Sequence, residues 1–132
     1  MTTVRERIGI NLARDAIDKP VDLNGVDRRV RQQNPSASPS EVQNETLEVI
    51  RFLVSGGYFT LGSVSGKDER FVPWKGSLDH SMDKISHVYV KHYDEPEKWM
   101  SAAWMQLTDK GDQLARAREA RDIASYRSSR GG

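Results

Sequence analysis

Ser38-Pro-Ser-Glu-Val-Gln-Asn-Glu-Thr-Leu-Glu-Val-Ile-Arg-Phe-Leu-Val-Ser-Gly-Gly57, continued by Tyr58-Phe-Thr-Leu-Gly62, reads as a capped helix that runs through a double glycine into a strand. Ser38 is placed to accept at the N-cap, Pro39 fits the first helical position, and Glu41 completes a Ser-x-x-Glu capping box. Gly56 is expected to take the left-handed conformation that ends the helix. At about 100° per residue, Val42, Thr46, Val49, Ile50, Leu53 and Val54 share one side, and Glu41, Asn44, Glu45, Glu48, Arg51 and Phe52 the other.

Upstream, Val4, Ile8, Leu12, Ala16 and Ile17 recur at helical spacing and predict a first helix over Val4 to Ile17, ended by Lys19-Pro20. Leu23, Val26 and Val30 form the narrow stripe of a second helix from about Asn24 to Gln33, with Arg28, Arg29 and Arg31 as a basic cluster. Downstream, Tyr58 to Val64 has strand composition. Ser65-Gly-Lys-Asp68 reads as a hairpin turn and Arg70 to Trp74 as the returning strand. Ser77 caps a fourth helix, Leu78 to about Tyr93, whose apolar face carries Leu78, Met82, Ile85, Val88, Tyr89 and His92. Asp94-Glu-Pro-Glu-Lys98 reads as a charged loop and Met100 to Leu107 as a third strand. Thr108 is a natural N-cap for a last helix held by Leu114, Ala117 and Ile123.

A chain of 132 residues suits one domain with a modest core. Hydrophobic residues make up 36% and charged residues 30%, so the core is small and the ends solvated. Twenty basic residues against 19 acidic ones leave a net charge of +1, with no global pull towards nucleic acid or anionic lipid. Any polyanion site must be a local patch. The absence of cysteine removes disulfides, thiol chemistry and cysteine-based zinc sites. The N-terminal segment is amphipathic and charged, without an apolar signal core or a membrane-length run. A cytoplasmic protein with no membrane contact is expected.

The order helix, helix, helix, strand, strand, helix, strand, helix resembles that of a winged helix-turn-helix. The likeness sharpens at Trp104-Met-Gln-Leu-Thr-Asp-Lys-Gly-Asp-Gln-Leu114. There Leu107, Thr108, Gly111 and Leu114 match the Leu-Thr-x-x-Gly-x-x-Leu that follows the wing in regulators of the multiple-antibiotic-resistance type. The resemblance implies an α+β, winged-helix-like fold: three N-terminal helices, a small antiparallel sheet with an inserted helix, and a C-terminal helix. One winged-helix-like domain is expected over residues 1–126, and the polar, glycine-ended residues 127–132 are expected to form a flexible C-terminal tail. The chain departs from the family in its acidic third helix and in the helix Leu78 to Tyr93, which sits where a simple wing would be.

In a winged helix the third helix enters the major groove. Here Glu41, Glu45 and Glu48 would meet phosphates, where DNA binding normally gains its largest sequence-independent term. A solvated acidic face or a docking surface for a protein fits that charge better. Phe52 projects with the glutamates. It is expected to pack under the inserted helix or, if bare, to form an acidic-apolar anchor with Glu45 and Glu48. The basic candidates are His80, Lys84, His87 and Lys91 along one side of the fourth helix, the cluster Arg28, Arg29 and Arg31, and Lys67 in the hairpin turn. Each could touch phosphate, and protonation of the histidines would strengthen the first.

No metal site is expected. His80 and His87 lie about 10 Å apart along their helix, whereas zinc holds each ligand nitrogen at about 2 Å. Gly62-Ser-Val-Ser-Gly66-Lys67 is one residue short of a phosphate loop and has Asp68 where Ser or Thr is needed. No Gly-x-Ser-x-Gly elbow or His-Glu-x-x-His occurs, and Asp94, Glu95 and Glu97 sit in a polar loop; neither catalysis nor a cofactor is expected. The sequence thus supports a non-enzymatic binding module, an adaptor or inhibitor-like protein with a protein partner. The alternative is a DNA-binding transcriptional regulator using the arginine cluster, the hairpin turn and the His80 to Lys91 stripe. A homodimer paired through terminal helices, as in winged-helix proteins, is compatible with both.

Overall fold

The computed structural model describes residues 3–131, with side chains through Ala124. Its elements are α1 (Val4–Asp15), β1 (Val21–Asp22), α2 (Leu23–Gln33), α3 (Pro39–Ser55), β2 (Phe59–Val64), β3 (Phe71–Pro73), α4 (Leu78–Lys91), α5 (Pro96–Trp99), β4 (Trp104–Leu107) and α6 (Asp109–Gly131). The fold is α+β, with six helices and a four-stranded antiparallel sheet among the described residues. The tail expected over 127–132 falls where side chains lie outside that description.

The helix starts follow the caps written in the sequence. Ser38 accepts from the Glu41 N–H at 3.2 Å, and Glu41 accepts from the Ser38 N–H at 3.0 Å, closing the capping box of α3. Ser77 caps α4 through the His80 N–H. The end of α3 differs from expectation by one residue. Gly56 stays helical at φ −75°, and Gly57 takes the left-handed conformation at φ +80°. The helix turns one residue later because the Gly56 N–H still reaches the Phe52 carbonyl.

The sheet order is β1-β4-β2-β3. Strand β2 pairs with β4 from Phe59↔Leu107 to Gly62↔Trp104, and with β3 from Gly62↔Pro73 to Val64↔Phe71. Strand β1, absent from the sequence reading, adds Val21↔Met105 and Asp22↔Trp104 at the far edge of β4. Two residues carry no periodicity, so only their long-range pairing defines the strand. The third strand is shorter than expected, because Met100 to Ala103 form a turn after α5. Helix α5 is a single turn within the stretch read as loop.

The core joins Ile8 and Leu12 of α1, Val26 and Val30 of α2, Val49 and Ile50 of α3, Phe59 and Leu61 of β2, Ile85 and Tyr89 of α4, and Met105 of β4. Helix α4 packs along one flank of α3. Asp79 accepts from Arg51 Nη1 at 2.7 Å near one end, and Tyr89 lies beside Thr46 further along, so the two helices run antiparallel.

Strand β4 enters α6 through the Leu107 to Leu114 segment. The Thr108 hydroxyl accepts from the Gly111 N–H at 3.1 Å and donates to the Gly57 carbonyl at 2.5 Å. The Thr108 N–H donates to the Tyr58 carbonyl at 3.1 Å. A β-carbon at Gly111 would overlap that same carbonyl, which is why the position needs glycine. One threonine thus locks the start of α6 onto the glycine turn that ends α3. The seat of α6 differs from expectation. Ala115 is buried and Gly111 lies against the turn, whereas Leu114 and Ile123 are 42% and 49% exposed and Ala117 is exposed. Close approach at Gly111 and Ala115 turns the larger residues outward. Arg14 on α1 donates to Asp122 at 2.8 Å.

Candidate functional site

Phe52 stands on the outer face of α3 and is 42% exposed. The inserted helix does not cover it. Helix α4 occupies the other flank of α3, where Arg51 pairs with Asp79. Phe52 instead forms the lip of an apolar groove of about 260 Å³ between α1, α3, the start of β2 and α6. Ile10, Ala13, Leu53, Tyr58 and Leu114 line it, with Glu6 at the edge. Leu114 therefore has a place in the structure, as a wall of this groove.

The three glutamates of α3 have different situations. Glu41 is exposed but engaged in the capping box, and the Ser38 N–H, then its hydroxyl, hold its carboxyl below the usual carboxylate range. Glu45 accepts from Arg5 Nη2 at 2.8 Å and Nε at 3.1 Å, a two-pronged contact from α1. That bond raises the pKa of the Arg5 guanidinium, against the opposing effect of its burial. Glu48 is exposed with no ion-pair partner among the described residues. The surface beside Phe52 is therefore acidic through Glu48, one turn before it, while Glu45 is largely neutralised and Glu41 lies three turns away at the start of α3.

The expected basic cluster on α2 is mostly spoken for. Arg29 donates to Asp15 at 2.6 and 2.7 Å and also to Gln32. Arg31 donates to Asp27 at 2.5 Å. Only Arg28 of the three is exposed with no ion-pair partner among the described residues. Lys67 is exposed in the hairpin turn. His80, Lys84, His87 and Lys91 are all exposed along one edge of α4, as their spacing predicts. The Lys84 ammonium sits 4.4 Å from the centre of the Trp74 ring.

Sequence reasoning missed Asp27. It lies within the apolar stripe of α2 and is 1% exposed. Its Oδ2 accepts from the Tyr89 hydroxyl at 2.5 Å and the Tyr93 hydroxyl at 2.9 Å, and its Oδ1 accepts from Arg31 Nε. Trp99 completes an aromatic cluster, edge-on to Tyr89 and stacked on Tyr93 with centroids 5.5 Å apart. Its indole N–H donates to the Tyr93 carbonyl at 3.0 Å. Burial, and then the bond to Asp27, push the Tyr93 phenol up to about 12 and raise that of Tyr89 further. Both phenols therefore stay protonated as donors. Sealed beneath them, Asp27 fastens α4 to α2 and is out of reach of a ligand in solution. The available signal was a carboxylate among Leu23, Val26 and Val30 with an arginine four residues on.

The loop carboxylate Glu95 accepts from Lys98 and bonds the His92 ring at 3.0 Å; Lys98 first, then His92, lower its pKa. A carboxylate stabilised in its charged form is a poor proton donor near neutrality. His92 sits half-buried beside it, at the edge of the core. No group of three or more histidine, aspartate or glutamate side chains able to hold a metal occurs among the described residues. No helix among them is long and apolar enough to cross a membrane. No protein-family model, curated protein or solved structure matches the chain.

Proposed function

We infer that this chain is a small, non-enzymatic, winged-helix-like binding module that docks a protein partner through the groove beside Phe52. The winged-helix reading is supported by three helices ahead of a hairpin, a returning strand paired with both β1 and β2, and the Thr108 and Gly111 junction into α6. On this reading β3, α4 and α5 are an insertion within the wing.

The observation that carries the docking reading is Phe52, exposed at the lip of an apolar groove that Glu6 lines, with exposed Glu48 one helical turn away. An aromatic lip over an apolar trough takes an apolar anchor from a partner. Glu6 and Glu48 beside it favour lysines and arginines next to that anchor. An amphipathic helix with basic flanks has that chemistry. The DNA-regulator alternative has less support, because α3 offers carboxylates where phosphates would come, and Arg29 and Arg31 are held by Asp15 and Asp27.

The test compares wild type with Phe52→Asp and with a Glu6→Lys, Glu48→Lys double variant in quantitative affinity capture. A partner retained by wild type should fall at least tenfold with either variant, and its binding segment should carry apolar residues flanked by basic ones. If the lysine variant keeps every partner and binds duplex DNA more tightly, the docking reading is wrong and the regulator reading replaces it.

A further inference from the structure

The exposed edge of α4 that carries His80, Lys84, His87 and Lys91 faces away from the Arg51–Asp79 contact and towards the end of β3. It runs for about 16 Å at 1.5 Å per residue. At its upper end the indole of Trp74 lines a cleft of about 280 Å³ with Lys75, His80 and Lys84. Trp74 is fixed in place: its Nε1–H donates to the Ser63 hydroxyl at 2.7 Å, and its backbone N–H to the Leu61 carbonyl at 3.0 Å. One face of this oriented ring is covered by the Lys84 ammonium at 4.4 Å.

We propose that this edge binds a single-stranded nucleic acid, with one base stacked on Trp74 and the phosphates running along His80, Lys84, His87 and Lys91. An exposed lysine over an aromatic ring contributes about two- to fivefold. A stacked base contributes about 5- to 150-fold. A base therefore displaces the lysine, and the freed ammonium meets a phosphate at the place where the strand arrives. One exposed carboxylate, Asp83, flanks this edge a turn from both His80 and His87. Asp79 is held by Arg51, and Asp68 and Glu69 sit in the hairpin turn. A duplex could reach the cations but keeps its bases stacked away from Trp74. The edge is separate from the groove at Phe52, so the two sites can be occupied together and tested apart.

The experiment is fluorescence anisotropy of labelled, mixed-sequence 12-nucleotide DNA and RNA strands, beside the blunt duplex and phosphatidylcholine vesicles containing phosphatidylserine. The single strands should bind at low salt and pH 7, with a log–log salt slope of about −1.4 to −2 for phosphate contacts by Lys84, Lys91 and the cleft-lining Lys75. Trp74→Leu should weaken binding about 5- to 150-fold with the slope unchanged, while Trp74→Phe, which keeps a stacking face, stays within about threefold. Lys84→Gln with Lys91→Gln, on exposed side chains, should flatten the slope by about 1.4 whatever Trp74→Leu does to folding. No binding at low salt, unaltered binding by a folded Trp74→Leu protein, an unchanged slope in the lysine variant, or equal affinity for duplex or vesicles would overturn the proposal.

Discussion

Replacing Asp27 with alanine should be among the most damaging single changes in this domain, and its cost can be built from the contacts. The carboxylate is 1% exposed and takes three donors. Arg31 is largely exposed and Tyr93 partly so; both can recover water when the acceptor goes. Tyr89 cannot, since it is fully buried. The only compensation near it is the Thr46 hydroxyl, buried and without a hydrogen-bond partner. Hydrogen bonds to a charged group contribute about 1.5–3 kcal/mol, and an orphaned buried donor costs about 1–3 kcal/mol. Against these stands the relief of no longer burying a charge. The net expectation is a loss of about 3 kcal/mol for Asp27→Ala. Asp27→Asn should lose only about 1–2 kcal/mol, because the amide oxygen can take the Oδ2 position that serves both phenols. Urea unfolding followed by tryptophan fluorescence reads this directly, with Trp99 inside the cluster. At a denaturant sensitivity of about 2 kcal/mol per molar, the alanine variant should shift the midpoint by about 1.5 M. The Asp27→Ala, Tyr89→Phe double-mutant cycle should show a coupling of at least about 1 kcal/mol. A loss below about 1 kcal/mol for alanine, or a coupling near zero, would refute the reasoning.

Three further outcomes follow from the same contacts. Gly111→Ala should destabilise by more than about 2 kcal/mol, although alanine is the better helix former by about 1 kcal/mol, because the added carbon meets the Tyr58 carbonyl; a raised melting temperature would contradict this. Thr108→Ala should cost about 1–2 kcal/mol, since it loses both the cap of α6 and the bond to the Gly57 carbonyl, and Thr108→Ser should recover most of it in a thermal melt. Alkaline stability should fall between about pH 10 and pH 12. Phenols raised above their usual value of about 10 contribute stability that is complete below pH 10 and lost as pH rises through the folded value, about 12 for Tyr93. Tyr93→Phe should shallow that decline, and a melting temperature flat from pH 9 to 11.5 in wild type would sink the argument.

The sequence was most readable where structure is local. The Ser38, Ser77 and Thr108 caps, the faces of α3 and α4, and the hairpin all depend on residues within a turn or two of one another. What escaped notice depends on distant partners. Strand β1 exists because Val21 finds Met105, and Asp27 is buried because Tyr89 and Tyr93, more than sixty residues away, supply donors. The seat of α6 was misplaced for a similar reason. Spacing favours the large Leu114 and Ile123 as anchors, but backbone contact at Gly111 selects the small-residue face. For the candidate site, the sequence showed which side of α3 Phe52 lies on. It did not show that α4 would settle on the opposite flank and leave the ring at the mouth of a groove.

The docking claim is tested most directly by a photo-reactive amino acid placed at Phe52, with a control at the exposed Val90 of α4. After irradiation in cells expressing the chain, position 52 should give one dominant protein adduct, position 90 should give no protein adduct, and the position-52 adduct should be lost when Glu6 and Glu48 become lysine. A nucleic-acid adduct at position 52, or no adduct at all, would contradict the docking claim.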